Sequence, residues 1–333
     1  MNFWDGKKVL VTGGAGFIGS RLVSRLTAQN ASIKVVDDLS KGSLDNLSGL
    51  LHRIDFQQLD LLDSDACKGL LDHIDVCFHF AAKIGGIGFF HRYPATSLRD
   101  NSRMNLKLWD EARRTSTKMV CVSSSMVFER ARVFPTPESA IFNSPPPITG
   151  YGFSKLFSEY LARTYWEEFS VPYVIVRPFN AYGPGEVSSD YVGYSHVIPD
   201  LARKVLSGQH PLEVFGSGNQ TRSYTYVDDV VDGMVFVAER ANNDDFNIGT
   251  RIETTVLDLA RMIWQLCGRK EEFKIKRIPG FEHDVRRRVP DISKITRLGW
   301  KAKVGLKEGL TQTIEYLAKL KSGLQLDDAR NPD

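Results

Sequence analysis

Cysteine is scarce: four residues in 333, Cys67, Cys77, Cys121 and Cys267. No C-x-x-C pair or metal-ligand spacing links them, so neither a disulfide framework nor a zinc site is expected, and a reducing cytoplasm suits the thiols. Neither sign of charge dominates. Lys and Arg number 43 against 40 Asp and Glu, a formal net charge of +3, too small a surplus to argue for nucleic acid or an anionic membrane surface. No apolar run reaches membrane-spanning length, and the start, MNFWDGKKVLVTGG, lacks the apolar segment of a secretory signal and passes directly into a strand. Repeats and low-complexity tracts are missing too. What is there is 42% hydrophobic and 25% charged, the composition of a globular protein, with the length for one compact body carrying a smaller lobe.

Short apolar β-branched runs alternate with longer helical patterns through the first half. KKVLVTG, SIKVVDD, IDFQQLD, DVCFHFAA and KMVCVSSS read as strands, and YVIVRPFNAYGPG adds a sixth that ends in a Pro/Gly loop. Continuously apolar strands separated by helices predict a Rossmann-type, doubly wound parallel sheet in an α/β fold. Residues 1–180 are assigned to a dinucleotide-binding domain and 181–320 mainly to a smaller C-terminal substrate-binding lobe, some segments of which return to the first domain; 321–333 read as a polar tail. In the lobe, HVIPDLARKVLSG and TVLDLARMIWQLCG read as helices, with LEVFG and FKIKRI as short strands between them.

Within VLVTGGAGFIGSRLVSRL, Gly13, Gly16 and Gly19 stand between a strand and an amphipathic helix. They allow a tight turn, close approach of a pyrophosphate to backbone amides, and close packing of helix on strand. Asp37 follows the second strand, about 20 residues on, where a carboxylate bonds ribose hydroxyls and repels a 2′-phosphate, so NAD is expected rather than NADP. Asp38 competes for that role, the other being a solvated carboxylate. Asp60 sits after the third strand, where an acid reaches the adenine amino group or simply ends a loop. In GYGFSKL, Tyr151 and Lys155 are four apart and project from one helix face, so the ammonium is expected to lower the tyrosine pKa and to hold the nicotinamide ribose.

With TGGAGFIG, HFAA, the serine strand end, YGFSK, RPFNAYGPG, RSYTYVDDVV and RRRVPDISKITRLGW in place, the chain resembles an extended short-chain dehydrogenase/reductase of the NAD-dependent nucleotide-sugar epimerase and dehydratase group over nearly its whole length. The resemblance implies catalytic Ser124, Tyr151 and Lys155, Ser124 standing three before Val127; Phe128 replaces the usual tyrosine there. Phe17 and Ile18 beside the glycines, Leu61 beside Asp60, and Ala81, Ala82 and Lys83 are implied at the cofactor. For a nucleotide-diphosphate sugar, GDP- or UDP-linked, it implies Asn180, Arg222 and Arg288 near the diphosphate; guanidinium suits that group because it donates in a planar fork. Arg286 and Arg287 are read as solvated and His79 as structural. A homodimer is implied through helices around 101–114 and 150–167, whose residues suit core packing as well.

Enzymes of this group begin by oxidising the sugar, and extra acid–base groups then set the outcome. One main location is the residue before Val127. Dehydratases resemble T-D-E-V-Y there, UDP-glucuronate decarboxylases place a glutamate, and GDP-fucose synthases and GDP-mannose 3,5-epimerases a cysteine. This chain has Ser125 and Met126, and a thioether takes no proton. The expectation is therefore an NAD-dependent nucleotide-sugar 4-epimerase working through a transient 4-keto sugar, with Ser125 and Met126 lining the substrate site and Met126 equally readable as core packing. Two features favour a GDP-sugar 3,5-epimerase-like or C4-oxidising enzyme instead. AAKIGGIGFFHRYPA, with Gly86, resembles the loop that closes over the hexose, and His196 stands where the fucose synthases have their acid histidine; it also reads as a hydroxyl ligand or a helix cap. Lys83 and His91 beside that loop are read as substrate contacts or solvated groups. A catalytically silent NAD-binding scaffold on the same fold is the reading of a different class.

Overall fold

The computed structural model describes residues 2–186, 193–281 and 284–328. Seven strands, β1 (Lys8–Thr12), β2 (Ser32–Asp37), β3 (Ile54–Gln58), β4 (Val76–His79), β5 (Lys118–Val122), β6 (Tyr173–Pro178) and β7 (Asp244–Ile248), form one sheet in the order β7-β6-β5-β4-β1-β2-β3, every pairing parallel. The helices are α1 (Phe17–Thr27), α2 (Ile87–Arg92), α3 (Pro94–Thr115), α4 (Gly150–Phe169), α5 (Val197–Leu206), α6 (Val227–Arg240), α7 (Val256–Leu266), α8 (Ser293–Arg297) and α9 (Leu306–Asp328).

The pleat of β1 shows why the fold is doubly wound. Val9 and Val11 join Leu22 and Leu26 of α1 and Val230 and Met234 of α6 in one core, whereas Leu10 joins Leu108 and Trp109 of α3 and Leu161 of α4 in another. Both faces being covered, the central strands are apolar throughout. Because β1 pairs with β2 on one side and β4 on the other, the strand order reverses there, and the crevice beyond the carboxyl ends of these strands is where such sheets bind ligands.

Two expectations need correction. The sheet has a seventh strand: DDFNI of β7 pairs with β6 from Asp244↔Val174 to Ile248↔Pro178. Its paired acids hide its apolar character, since only Phe246 and Ile248 fill the core. The segment from 321, read as a polar tail, begins inside α9, which continues to Asp328; 329–333 lie outside the described residues. The lobe has its own core of Leu201, Leu259, Ile263, Leu310 and Ile314 from α5, α7 and α9. Beside it Leu212–Phe215 pairs in parallel with Ile275–Ile278, and Thr221–Arg222 lies between Thr254–Thr255 and Arg287–Arg288. After 181 the chain returns to the sheet with α6 and β7.

Candidate active site

The turn from β1 into α1 is built on backbone proximity. Gly13 has φ +69°, and a Cβ on it would lie 2.7 Å from the Ala81 amide nitrogen. A Cβ on Gly19 would lie 2.2 Å from the Gly13 carbonyl oxygen, so helix and turn touch through their main chains. Gly16 is the N-cap of α1 and no side chain caps that end, leaving first-turn amides open to an anion. Phe17 and Ile18 form the first turn, and the Phe17 ring lies 3.5 Å from a Cβ built on Gly185. This cradle fits a dinucleotide pyrophosphate.

Asp37 is buried at the end of β2, its Oδ2 accepting from the Ala15 amide at 2.9 Å and its Oδ1 from that of Leu39 at 2.9 Å. Burial raises its pKa, against the pull of those amides. Asp38 pairs with Lys83 at 2.8 Å; partial burial opposes ionisation, but the bonds from Lys83 and Ser40 hold this carboxyl below its usual value. Asp60 Oδ1 accepts from the Leu62 amide at 2.9 Å, and Leu61 is buried beside it. Past β4, the Ala81 amide donates to Thr12 Oγ1 at 3.3 Å and that of Lys83 to Asn101 Oδ1 at 2.7 Å, with Ala82 partly buried between them.

The three serines after β5 separate in role. Ser123 donates to the buried Glu159 at 2.6 Å and belongs to the core. Ser124 accepts from the Met126 amide at 3.2 Å, capping the tight turn Ser125–Phe128, and its hydroxyl acts to lower the Tyr151 pKa. Ser125 is buried within that turn. Tyr151 stands in the first turn of α4, where Thr149 Oγ1 caps the Gly152 amide at 3.1 Å. One turn on, Lys155 Nζ donates to the Val122 carbonyl at 2.7 Å, 5.9 Å from the centre of the Tyr151 ring. The expectation of a depressed tyrosine pKa is corrected: burial pushes Tyr151 up to about 12, outweighing the Ser124 hydroxyl and the Arg288 charge. Burial also takes Lys155 down to about 8. In this dry site desolvation exceeds the local attractions.

A residue without any spacing signal completes the group. Phe90 of α2 lies flat on Tyr151, centroids 4.4 Å apart and planes 9° apart, in an apolar cluster with Met126, Ile84 and Phe89. The loop before α2 docks through Gly86, whose amide donates to the Tyr194 carbonyl at 2.8 Å; a Cβ there would lie 2.3 Å from the Gly193 oxygen. The aromatic pair after GGIG was the available sign, but apolar residues on a short helix read as core.

Arg222 and Arg288 are register partners on adjacent strands. Arg222 donates to Asp284 at 2.7 Å and to the Thr221 carbonyl at 2.8 Å. Arg288 Nη2 lies 2.9 Å from Met126 Sδ. Arg286 is exposed and Arg287 pairs with Glu253 at 2.6 Å, as solvated groups do. Asn180, at φ +42°, donates from Nδ2 to the Ser223 carbonyl at 3.0 Å and so ties the loop after β6 to the strand of Arg222. His196 is the N-cap residue of α5, its Nδ1 2.5 Å from the buried Glu186 Oε1. His79 Nδ1 lies 2.7 Å from Thr12 Oγ1; burial takes its pKa down to about 3, which leaves it a neutral core group. His91 is exposed and stacks on Phe281. Among the described residues no group of three or more His, Cys, Asp or Glu is arranged to hold a metal ion, and no helix is long and apolar enough to cross a membrane.

Residues 9–249 match the NAD dependent epimerase/dehydratase family. UDP-glucuronic acid decarboxylase 1 of Xenopus tropicalis is 31% identical over 318 residues, 95% of this chain and 73% of that protein. Among solved structures, UDP-glucose 4-epimerase of Thermotoga maritima, with UDP-glucose, superposes at a TM-score of 0.85 with 33% identity, covering 94% of this chain and 99% of the other. UDP-glucuronic acid 4-epimerase of Bacillus cereus, in complex with UDP-glucuronic acid and NAD, gives 0.84 with 28% identity and the same coverage, 94% and 99%.

Proposed function

The chain belongs to the NAD-dependent epimerase/dehydratase family and acts on nucleotide sugars with NAD as cofactor, and we propose that it is a UDP-sugar 4-epimerase. The observation that carries this reading is Met126. It packs against Tyr151 and Phe90, at the position that would furnish the second base of an elimination or decarboxylation, and it cannot exchange a proton. UDP is preferred over GDP because the relatives named above are described with UDP-sugars.

Tyr151, as phenolate, takes the proton of the sugar 4-hydroxyl, which Ser124 also bonds. Bound NAD supplies hydride acceptance and return. Lys155, anchored on the Val122 carbonyl, holds the nicotinamide ribose, and Asp37 the adenosine ribose. Met126, which packs on Tyr151, offers no second base; the keto-sugar turns against the Phe90 and Met126 wall and is reduced on its other face, the phenol returning its proton. Arg222 and Asn180 serve the diphosphate end. Residues 1–180 carry the cofactor and 181–320 most of the sugar nucleotide. A cytoplasmic homodimer completes the proposal, paired through α3 and α4, which expose Leu98, Leu106, Phe153 and Tyr160.

The pair of His196 and Glu186 favours a second reading, 3,5-epimerisation with His196 as acid. Tyr151→Phe decides whether this site works at all: conversion of every nucleotide sugar falls by about 10²–10⁴-fold if it does, and unchanged conversion refutes the assignment.

A further inference from the structure

Among the described residues no carboxylate forms an ion pair with Arg288. Its strand places it beside Arg222, a second cation. Among the described residues the carboxylates whose charges reach it are Asp284 and Glu129, and both are committed elsewhere. Asp284 Oδ1 bonds Arg222 at 2.7 Å, and Glu129 Oε2 accepts from the amides of Ile148 at 2.8 Å and Thr149 at 3.0 Å. The Arg288 Nη2 faces the Met126 thioether at 2.9 Å, a weak acceptor. Its Nε is buried and has no partner among the described residues. Burial, with Arg222 adding to it, takes the guanidinium down to about 9, the mark of a cation set to receive an anion.

Where that anion sits follows from Met126, which touches Arg288 on one side and packs with Tyr151 on the other. Tyr151 addresses the 4-hydroxyl. In a hexopyranose linked at C1, the diphosphate hangs across the ring from C4, whereas C6 is carried on C5, next to C4. Arg222 remains for the diphosphate. We infer that Arg288 binds the C6 carboxylate of the sugar, and that the substrate is a nucleotide-linked uronic acid whose carboxyl group survives the reaction; this rests on the 4-epimerase reading above.

Survival has a chemical basis. The 4-keto uronate is a β-keto acid: breaking the C5–C6 bond moves its electron pair into an enolate at C4, CO₂ leaves, and C5 then needs a proton. A guanidinium fork on the carboxylate keeps the negative charge on its oxygens, opposing that shift, and Met126 has no proton to give C5. Hydride leaves C4 as the proton leaves the 4-oxygen, and each returns to the atom it left, so the product differs from the substrate only in configuration at C4 and NAD⁺ is restored.

The test compares kcat/KM of the NAD-loaded protein for UDP-glucuronate and UDP-glucose, with products identified by NMR, in the wild type, Arg288→Lys and Arg288→Met. Expected are C4 inversion of the uronate with its carboxyl intact and a preference for it of roughly 100-fold. Arg288→Lys keeps part of that preference, and Arg288→Met brings the ratio towards one, mainly through the uronate KM. Equal losses on both substrates would assign Arg288 to the diphosphate and overturn the inference. Faster inversion of UDP-glucose than of the uronate also overturns it while leaving the 4-epimerase reading in place, and release of CO₂ with a pentose product overturns carboxyl retention. No inversion of any sugar would remove the underlying reading too. Should Arg288→Met fail to fold, seen as loss of its thermal transition, the wild-type comparison still decides.

Discussion

Tyr151 combines a phenol that burial pushes up to about 12 with a role that needs it deprotonated, and a neighbouring ring shares in that burial. Phe90 covers it at 4.4 Å, removing the water that would stabilise a phenolate. Phe90→Ala is expected to bring the Tyr151 pKa back towards 10, the ordinary value; ultraviolet titration of the difference between Phe90→Ala and Phe90→Ala/Tyr151→Phe reads it directly, and an unmoved value contradicts burial as the cause. In Tyr151→Phe, turnover is expected to fall by about 10²–10⁴-fold, the contribution of a positioned acid–base group, with bound NAD retained, as extraction and absorbance will show. That Tyr151 and Lys155 share one helix face was legible from their spacing of four, whereas Ser124 was named through the family resemblance. Phe90 was not legible, because its partner is 61 positions away and stacking leaves no periodic trace. Nor was the commitment of Ser123 to Glu159, since three consecutive serines are alike until their directions are known.

At the level of elements, β6 and β7 meet through a buried ionic network. Arg177 of β6, fully buried, donates to both oxygens of Glu159 on α4, at 2.7 and 2.6 Å, and to Asp245 of β7 at 2.6 Å. Its charge sits over Phe128 at 5.2 Å, so the network touches the strand-end turn that carries Ser124. Glu159→Gln leaves Arg177 short of a counter-charge, and a loss of about 3–5 kcal/mol is expected, read as a lower midpoint in urea. Partial burial works to raise the Asp245 pKa, but Arg177, Lys294 and Arg163 overcome it and hold the carboxyl at about 2, against 3.8 as the ordinary value. Folding thus binds fewer protons in that interval. The stabilisation, about 2 kcal/mol, is complete above pH ~4 and is lost as pH falls through the folded pKa of ~2; in Asp245→Asn that part of the acid slope should vanish. This arrangement also explains why β7 was missed from sequence: acids at its start argue for a loop until their cationic partners, from three other segments, are brought to them.

For the whole molecule, strand alternation was enough to read the doubly wound sheet, because burial on both faces forces near-continuous apolar runs. The interweaving of the lobes was less legible, since α6 and β7 begin 46 and 63 residues into the stretch assigned to the other lobe and return by contacts distant in sequence. If α3 and α4 pair two copies, Tyr160→Glu, at a side chain 54% exposed on α4, shifts sedimentation from dimer to monomer at micromolar concentration; a wild type that sediments as monomer there contradicts the homodimer.

In the proposed reaction hydride leaves and returns at C4 with no second base taking part. Incubating the purified protein in D₂O with UDP-hexoses and UDP-uronates, without added reductant, and following the sugar protons by NMR tests it most directly. Inversion at C4 with no deuterium entering the ring is the expected result. Deuterium at C3 or C5 would contradict it, by showing enolisation through a base such as His196 where Met126 was taken to leave none.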